Sequence, residues 1–342
     1  MSSILRRPYL GPRVRGLRIR ELSRDKLLSL AYANTLDEFL NILKTTHYNI
    51  TLDRLTRENI SELRRSLVKN YLDTVRSIFL SSGRDAKNAI LLSLKYFEYE
   101  NIRNLAIAIK AGKNPEDYIL WEPLEFTRRR HIIAGLLGVK NVEELGERLR
   151  NLKHPAYKAF ELSSKYGEEK LSIFLDRQWL EDISTSPVVE KDKSLRALVA
   201  DLIEYFNTLI AVRSRVWGLT EELEELIIGK PSPAVLSAVR DPPARFLEVA
   251  QSSAWGKILV EEVAETPTLE NIATAMDNIY SAYVRRLADV YMSRFSEFSL
   301  GALVAHLEYL KAEITTLIRA ASLLAEGVPM EKRKKIFEAL AR

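Results

Sequence analysis

The sequence predicts an all-α protein, and three observations carry that prediction. Apolar residues recur at helical spacing. Leu36, Phe39, Leu40 and Leu43 fall at i, i+3, i+4 and i+7, and the stripes Ile102, Leu105, Ala106, Ile109 and Leu269, Ile272, Ala273, Met276 repeat that pattern. Alternating β-branched runs bounded by Asn-Gly or Asp-Gly turns are absent, so no hairpin has local support. Glycines and prolines gather between the periodic segments, as in Gly229-Lys-Pro-Ser-Pro233 and Asp241-Pro-Pro243, where they read as connections.

Two kinds of landmark then alternate along the chain. The first is a helix start with a capping residue, an apolar residue and acidic or amide residues ahead of an apolar stripe. It occurs at Thr35-Leu-Asp-Glu-Phe39, Asn141-Val-Glu-Glu-Leu145 and Thr268-Leu-Glu-Asn-Ile272. Glu38 and Glu144 sit three residues after the cap, where a carboxylate can reach back to the cap's backbone N–H while the cap oxygen accepts from a free helix N–H. The third copy has Asn271 there, so only half of the box is present. Each copy reaches a tyrosine a few turns later, at Tyr48, Tyr157 and Tyr280.

The second landmark is a polar and a basic residue enclosing five mostly apolar positions. It runs from Asn104 to Lys110, from Asn207 to Arg213 and from Glu313 to Arg319. A glycine follows each copy, at Gly112, Gly218 and Gly327, placed to end a helix in a left-handed cap. Successive caps lie 106 and 127 residues apart, and successive stripes 103 and 106. The alternation predicts three homologous helical lobes, 1–118, 119–222 and 223–342, each large enough to carry its own core. The Pro-rich stretch between Pro231 and Pro243 accounts for the longer second interval.

Composition narrows the function. The 342 residues are 46% apolar and 28% charged, which suits packed cores and a solvated surface and argues against disorder throughout. There is no cysteine, hence no disulfide, thiolate metal site or thiol nucleophile. Residues 1–26 hold eight basic and two acidic residues, which leaves 43 basic and 44 acidic in the rest. The whole excess of positive charge therefore sits in one N-terminal arm. The start of the chain has no apolar core of signal-peptide length, and the longest apolar run, near Ile132–Val139, is far below the roughly 20 residues a membrane span needs. A soluble protein without a transmembrane segment is expected.

No catalytic pattern stands out. Gly135 and Gly138 lack phosphate-loop spacing and read as packing glycines. His47, His131, His154 and His306 lie far apart with no metal-ligand spacing, and no GxSxG elbow occurs. The acidic pairs at Glu221, Glu224 and Glu261 read as solvated helix faces. The expectation is a non-enzyme with no cofactor and no metal.

In their order, these residues resemble the family of the C subunit of archaeal A-type ATP synthases, the counterpart of the d subunit of eukaryotic V-type ATPases. The resemblance is carried by Tyr9, Pro12-Arg-Val-Arg15, Leu27-Leu28, Leu36-Asp-Glu-Phe39 and Thr46-His-Tyr48. It continues through Glu100 to Gly112, Glu204 to Gly218, Lys311 to Arg319 and Gly327-Val-Pro329. Two departures are visible: Pro12 stands where the family usually has Ala, and the Arg-rich segment from Trp121 to His131 matches no family string.

The resemblance implies a funnel-like, three-lobed, non-catalytic rotor part of a proton- or sodium-translocating ATP synthase or ATPase. Such a part sits peripherally at the cytoplasmic face of the cell membrane. Its partners would be the membrane rotor ring of proteolipid subunits and the central-stalk subunits, without nucleic acid. In that frame Arg13, Arg15 and Arg18 are candidate contacts for acidic loops of stalk or ring, while Asn104, Lys110, Asn207, Arg213, Glu313 and Arg319 mark the repeat. These six could contact ring or stalk at equivalent places, but the favoured reading is structural, pairing within each lobe or capping neighbouring helices. A second reading, from another class, is a helical nucleic-acid-binding protein using the basic arm. The balanced charge of the body speaks against it.

Overall fold

The computed structural model describes residues 10–263 and 267–341. Arg6, Arg7 and Tyr9, which contribute to the basic arm and to the resemblance, lie outside those residues. All regular secondary structure among the described residues is helical. The chain divides into two compact units, one of Met1–Gly83 with Ala200–Arg342 and one of Arg84–Val199. The boundaries expected from the repeat fall elsewhere, because the repeat follows local pattern whereas this division follows packing.

The first unit opens with α1 (Leu10–Arg18), α2 (Arg24–Tyr32), α3 (Leu36–Lys44) and α4 (Ile60–Leu80). The second holds α5 (Arg84–Leu94), α6 (Tyr96–Lys110), α7 (Trp121–Phe126), α8 (Arg130–Ala134), α9 (Val142–Asn151), α10 (Tyr157–Tyr166), α11 (Leu171–Ser184) and α12 (Pro187–Lys191). The division falls inside α13 (Lys193–Trp217). The first unit then resumes with α14 (Leu223–Leu226), α15 (Pro233–Arg240), α16 (Pro243–Ala250), α17 (Gly256–Glu262), α18 (Leu269–Phe295), α19 (Leu300–Ala325) and α20 (Met330–Ala341).

In the first unit α19 is the central element. It is buried almost without interruption from Leu300 to Leu317, as befits a helix apolar on all faces, and packs against α1, α3, α4, α18 and α20. Helix α20 packs on α2 as well as on α18 and α19, and Arg333 donates to the carbonyls of Ala33 (2.9 Å) and Val328 (3.0 Å). The C-terminal helix thus returns to the start of the chain. Helix α1 buries Leu10, Val14 and Leu17 at i, i+4 and i+7. At about 1.5–3 kcal/mol for each buried aliphatic side chain, that stripe outweighs the exposed ion pairs Arg15–Glu297 and Arg18–Asp289, pairs of a kind worth about 1 kcal/mol or less. In the second unit α6 is central, packing against α5, α7, α8, α9 and α11.

The expected helix starts are present. Thr35, Asn141 and Thr268 accept from the N–H of Glu38 (3.1 Å), Glu144 (2.8 Å) and Asn271 (3.2 Å). The reciprocal arm differs by one residue: Glu38 accepts from Asn34 N–H (2.8 Å) and Glu144 from Lys140 N–H (2.9 Å), the residue before each cap. With the caps in extended backbone, the carboxylates reach past the cap's own N–H. Gly112, Gly218 and Gly327 have φ of 62°, 72° and 70°. The next N–H in each case bonds the carbonyl five residues back, at 2.9, 2.7 and 2.9 Å.

The tightest glycine is Gly256, at the start of α17, where a Cβ would lie 1.7 Å from the carbonyl oxygen of Ala250. Gly256→Ala is expected to lower stability by about 1–3 kcal/mol, as overpacking against backbone does, measured by denaturant unfolding.

Candidate functional site: polar anchors of the helical body

Helical stripes bury polar side chains only where partners are supplied. Glu313 lies on α19, fully buried, and accepts from Leu22 N–H (3.0 Å), Tyr309 OH (2.9 Å) and Tyr48 OH. Burial pushes its carboxyl up, partly opposed by those three donors, and pushes the Tyr48 and Tyr309 hydroxyls well above their usual range. Next to Leu22, Glu21 stands 3.7 Å from Arg285 and 4.0 Å from the Nε2 of His306. Its carboxyl is raised to about 7, chiefly by burial, with Arg285 and Arg18 opposing and Asp289 and Glu313 reinforcing. Burial, then Arg20, lowers His47 to about 4, so its ring is neutral at physiological pH. Arg20 also donates to Thr74 Oγ1 at 2.8 Å. The corner between α1 and α2 is therefore locked onto α4, α18 and α19 by polar groups.

The other repeat residues serve comparable ends. Asn207 clamps the backbone of one residue, donating to the carbonyl of Ile228 (2.8 Å) and accepting its N–H (2.9 Å). In the second unit Asn104 donates to the carbonyl of Tyr118 (3.1 Å). The two-armed clamp there belongs to Asn101, which donates to the carbonyl of Leu120 (3.0 Å) and accepts its N–H (2.7 Å). Asn101 went unnoticed in the sequence, although its place three residues before Asn104 on α6 puts both amides on one face. Lys110 pairs with Glu168 (2.7 Å) and Arg213 with Asp277 (2.5 Å), while Arg319 is exposed. Like Ile228 for Asn207 and Leu22 for Glu313, these partners lie in a different expected lobe and not within the same one, because packing brings distant segments together.

Of the arm arginines, Arg15 pairs with Glu297 and Arg18 with Asp289, while Arg13 is exposed. Glu98 also went unnoticed in the sequence; it is a buried carboxylate on α6 that binds His154 and lies 3.7 Å from Arg129. A glutamate in a helix that also carries Glu100, Arg103 and Lys110 gives no signal of a partner 56 residues away. Among the described residues, no three His, Asp or Glu side chains gather as a metal ion would require. None of the described helices is long and apolar enough to cross a membrane.

These anchors lie inside a stretch that a family model recognises as a whole. The model, described as ATP synthase (C/AC39) subunit, matches residues 10–336. The chain belongs to this family. The C subunit of the A-type ATP synthase of Pyrococcus abyssi is 24% identical over 98% of this chain and 91% of its own length. The corresponding protein of Pyrococcus horikoshii shows the same identity and coverage. The C subunit of the V-type ATP synthase of Deinococcus radiodurans is 24% identical over 78% of this chain and 74% of its own. Membership of the ATP synthase (C/AC39) family agrees with the resemblance read from the residues, and the Arg-rich segment Trp121 to His131 falls within the matched span.

Two outcomes test these anchors. Asn207→Ala, which strands the N–H and carbonyl of Ile228, should cost about 1–3 kcal/mol in denaturant unfolding. Glu21 binds its proton more tightly when folded, at about 7 against 4.5. Its contribution to stability is thus complete below the lower value and lost as pH rises through the upper. Between about pH 5 and about pH 8 the unfolding midpoint should fall, and Glu21→Gln should flatten that slope and stabilise the protein at the alkaline end.

Proposed function

We propose that the chain is a non-catalytic rotor subunit of a proton- or sodium-translocating A/V-type ATP synthase or ATPase, coupling the central stalk to the membrane rotor ring. The observation that carries the reading is the family match across residues 10–336. In this reading the protein sits peripherally at the cytoplasmic face of the membrane and meets the proteolipid ring on one side and stalk subunits on the other.

A torque coupler has to resist shear, and the repeated polar anchors suit that task. Asn101 and Asn207 fasten irregular segments to their helices through paired hydrogen bonds, and Glu313 fastens the α1–α2 corner to α19. Densely packed cores transmit strain instead of absorbing it. We assign the recurrence of cap, stripe and terminal glycine to three homologous lobes, 1–118, 119–222 and 223–342, arranged as a funnel. Arg13, Arg15 and Arg18 remain candidates for contact with acidic loops of stalk or ring, with Arg13 the most available because the other two already hold Glu297 and Asp289. That pairing also weakens the nucleic-acid reading, which needs the arm's charge unspent.

The test is affinity purification of the tagged protein from detergent-solubilised native membranes, with mass spectrometry of what accompanies it. Recovery of the ring proteolipid together with central-stalk subunits is the expected result. Recovery of nucleic acid, or of an unrelated set of proteins, would remove the rotor assignment.

A further inference from the structure

Two helix ends in the unit Arg84–Val199 depart from the rule kept at Gly112, Gly218 and Gly327. Helices α7 and α9 close in the same hydrogen-bonded motif, but with Arg128 (φ 60°) and Lys153 (φ 54°) in the glycine position. Arg128 N–H bonds the carbonyl of Glu125 (3.1 Å) and Arg129 N–H that of Leu124 (2.7 Å). Lys153 N–H bonds the carbonyl of Arg150 (2.9 Å) and His154 N–H that of Leu149 (2.9 Å). A side chain in this left-handed conformation is strained where glycine would not be. The helix dipole does not demand it, because α6 and α13 carry Lys110 and Arg215 in their last turns and still end on glycine.

The residues that follow the two strained positions converge on one carboxylate. His154 Nδ1 accepts from Ala156 N–H (3.2 Å), which leaves Nε2–H to donate to Glu98 Oε1. Arg129 Nε stands 3.7 Å from Glu98 Oε2. Glu98 therefore fixes both loops, while Arg128 and Lys153 are exposed, with no hydrogen bond or ion pair engaging their side chains among the described residues. Beside Lys153, Leu152 is 50% exposed. It sits against the end of α8, since a Cβ on Gly135 would lie 3.9 Å from its Cδ1. Nearby, Arg130 pairs with Glu125 (2.8 Å) and lies 4.9 Å from the ring centre of Trp121. Glu98 and Glu125 are already engaged, and among the described residues neither they nor the exposed Glu122, Glu143 and Glu147 of the same helices pair with Arg128 or Lys153, which keep their charge beside an apolar anchor. The Arg-rich segment that matched no family string thus acquires a role.

We propose that Arg128, Leu152 and Lys153 form a docking surface for an acidic polypeptide segment of a neighbouring subunit, a proposal that rests on the rotor-subunit reading. Cations held at fixed spacing beside an apolar side chain suit carboxylates set on a folded surface. A fluid headgroup layer needs no such spacing and is served by mobile basic side chains.

The test compares the full-length wild type with R128G/K153G and R128E/K153E in binding to the ATP synthase subunits that co-purify with it. Glycine relieves the backbone, so R128G/K153G should keep or raise the unfolding temperature, yet bind at least about tenfold more weakly at about 0.1 M salt, with the gap narrowing at about 1 M. R128E/K153E should bind more weakly still. A photo-cross-linking residue in place of Leu152 should capture a peptide rich in Asp and Glu. Undiminished binding of R128G/K153G, or capture of a peptide without acidic residues, would overturn the proposal. So would sedimentation of the wild type with phosphatidylglycerol vesicles that R128G/K153G abolishes, which would give the surface to lipid. If the wild type co-purifies with no ATP synthase component, both this proposal and the rotor reading fall. Any of the three preceding outcomes, with co-purification intact, removes only this proposal.

Discussion

A helix buried on every side can hold a carboxylate only if the rest of the fold comes to it. Helix α19 is such a helix, and Glu313 on it has no access to water. An uncompensated charge there would cost several kcal/mol, and even a protonated carboxyl needs partners for its oxygens. Those partners are a backbone N–H from the α1–α2 corner and two tyrosine hydroxyls, one of them from beyond the end of α3. Satisfying one side chain thereby fixes the entry of the chain. It also places Glu21 beside Arg285 and His306, in a setting where its proton is held near neutrality. The nearby Glu308 and Lys311, also buried on α19, set opposite charges against each other one turn apart.

Asparagine solves a related problem elsewhere. A side-chain amide carries both a donor and an acceptor, so it can occupy both backbone hydrogen-bonding groups of one residue in an irregular segment that has no ladder partner. Asn101 does this for Leu120 and Asn207 for Ile228. The basic residues of the same stripes act differently. Lys110 and Arg213 reach outward to single carboxylates at partly exposed positions, where ion pairs add little stability. In its first two copies the stripe therefore combines an inner polar anchor with an outer ion pair, and the anchor carries more of the energy, whereas in the third Arg319 is exposed.

That hierarchy bears on the rotor reading. Resistance to deformation comes from side chains whose partners are fixed by burial, and the exposed charges are left to decide what the body meets. Arg15 and Arg18 spend their charge within the chain, whereas Arg13, Arg128 and Lys153 keep theirs at the surface.

The helices themselves were legible in the sequence because their causes are local. Apolar spacing, caps at Thr35, Asn141 and Thr268, and glycines at three helix ends act over a turn or two. The order of these signals, taken with the residues around them, was enough to suggest the family. What each buried polar residue binds was not legible, since its partner is brought near only when distant segments pack. Asn101 and Asn104 look alike in sequence, and only the path of residues 118–120 makes one a clamp. Glu98 reads as an ordinary helix residue and Glu313 only as a mark of the repeat until burial removes water and obliges His154, Tyr48, Tyr309 and the backbone of Leu22 to replace it. The sequence by itself determined where helices start and stop, because those choices are made by neighbours along the chain. The tertiary structure decided which polar groups became anchors, because desolvation exists only once the core has closed.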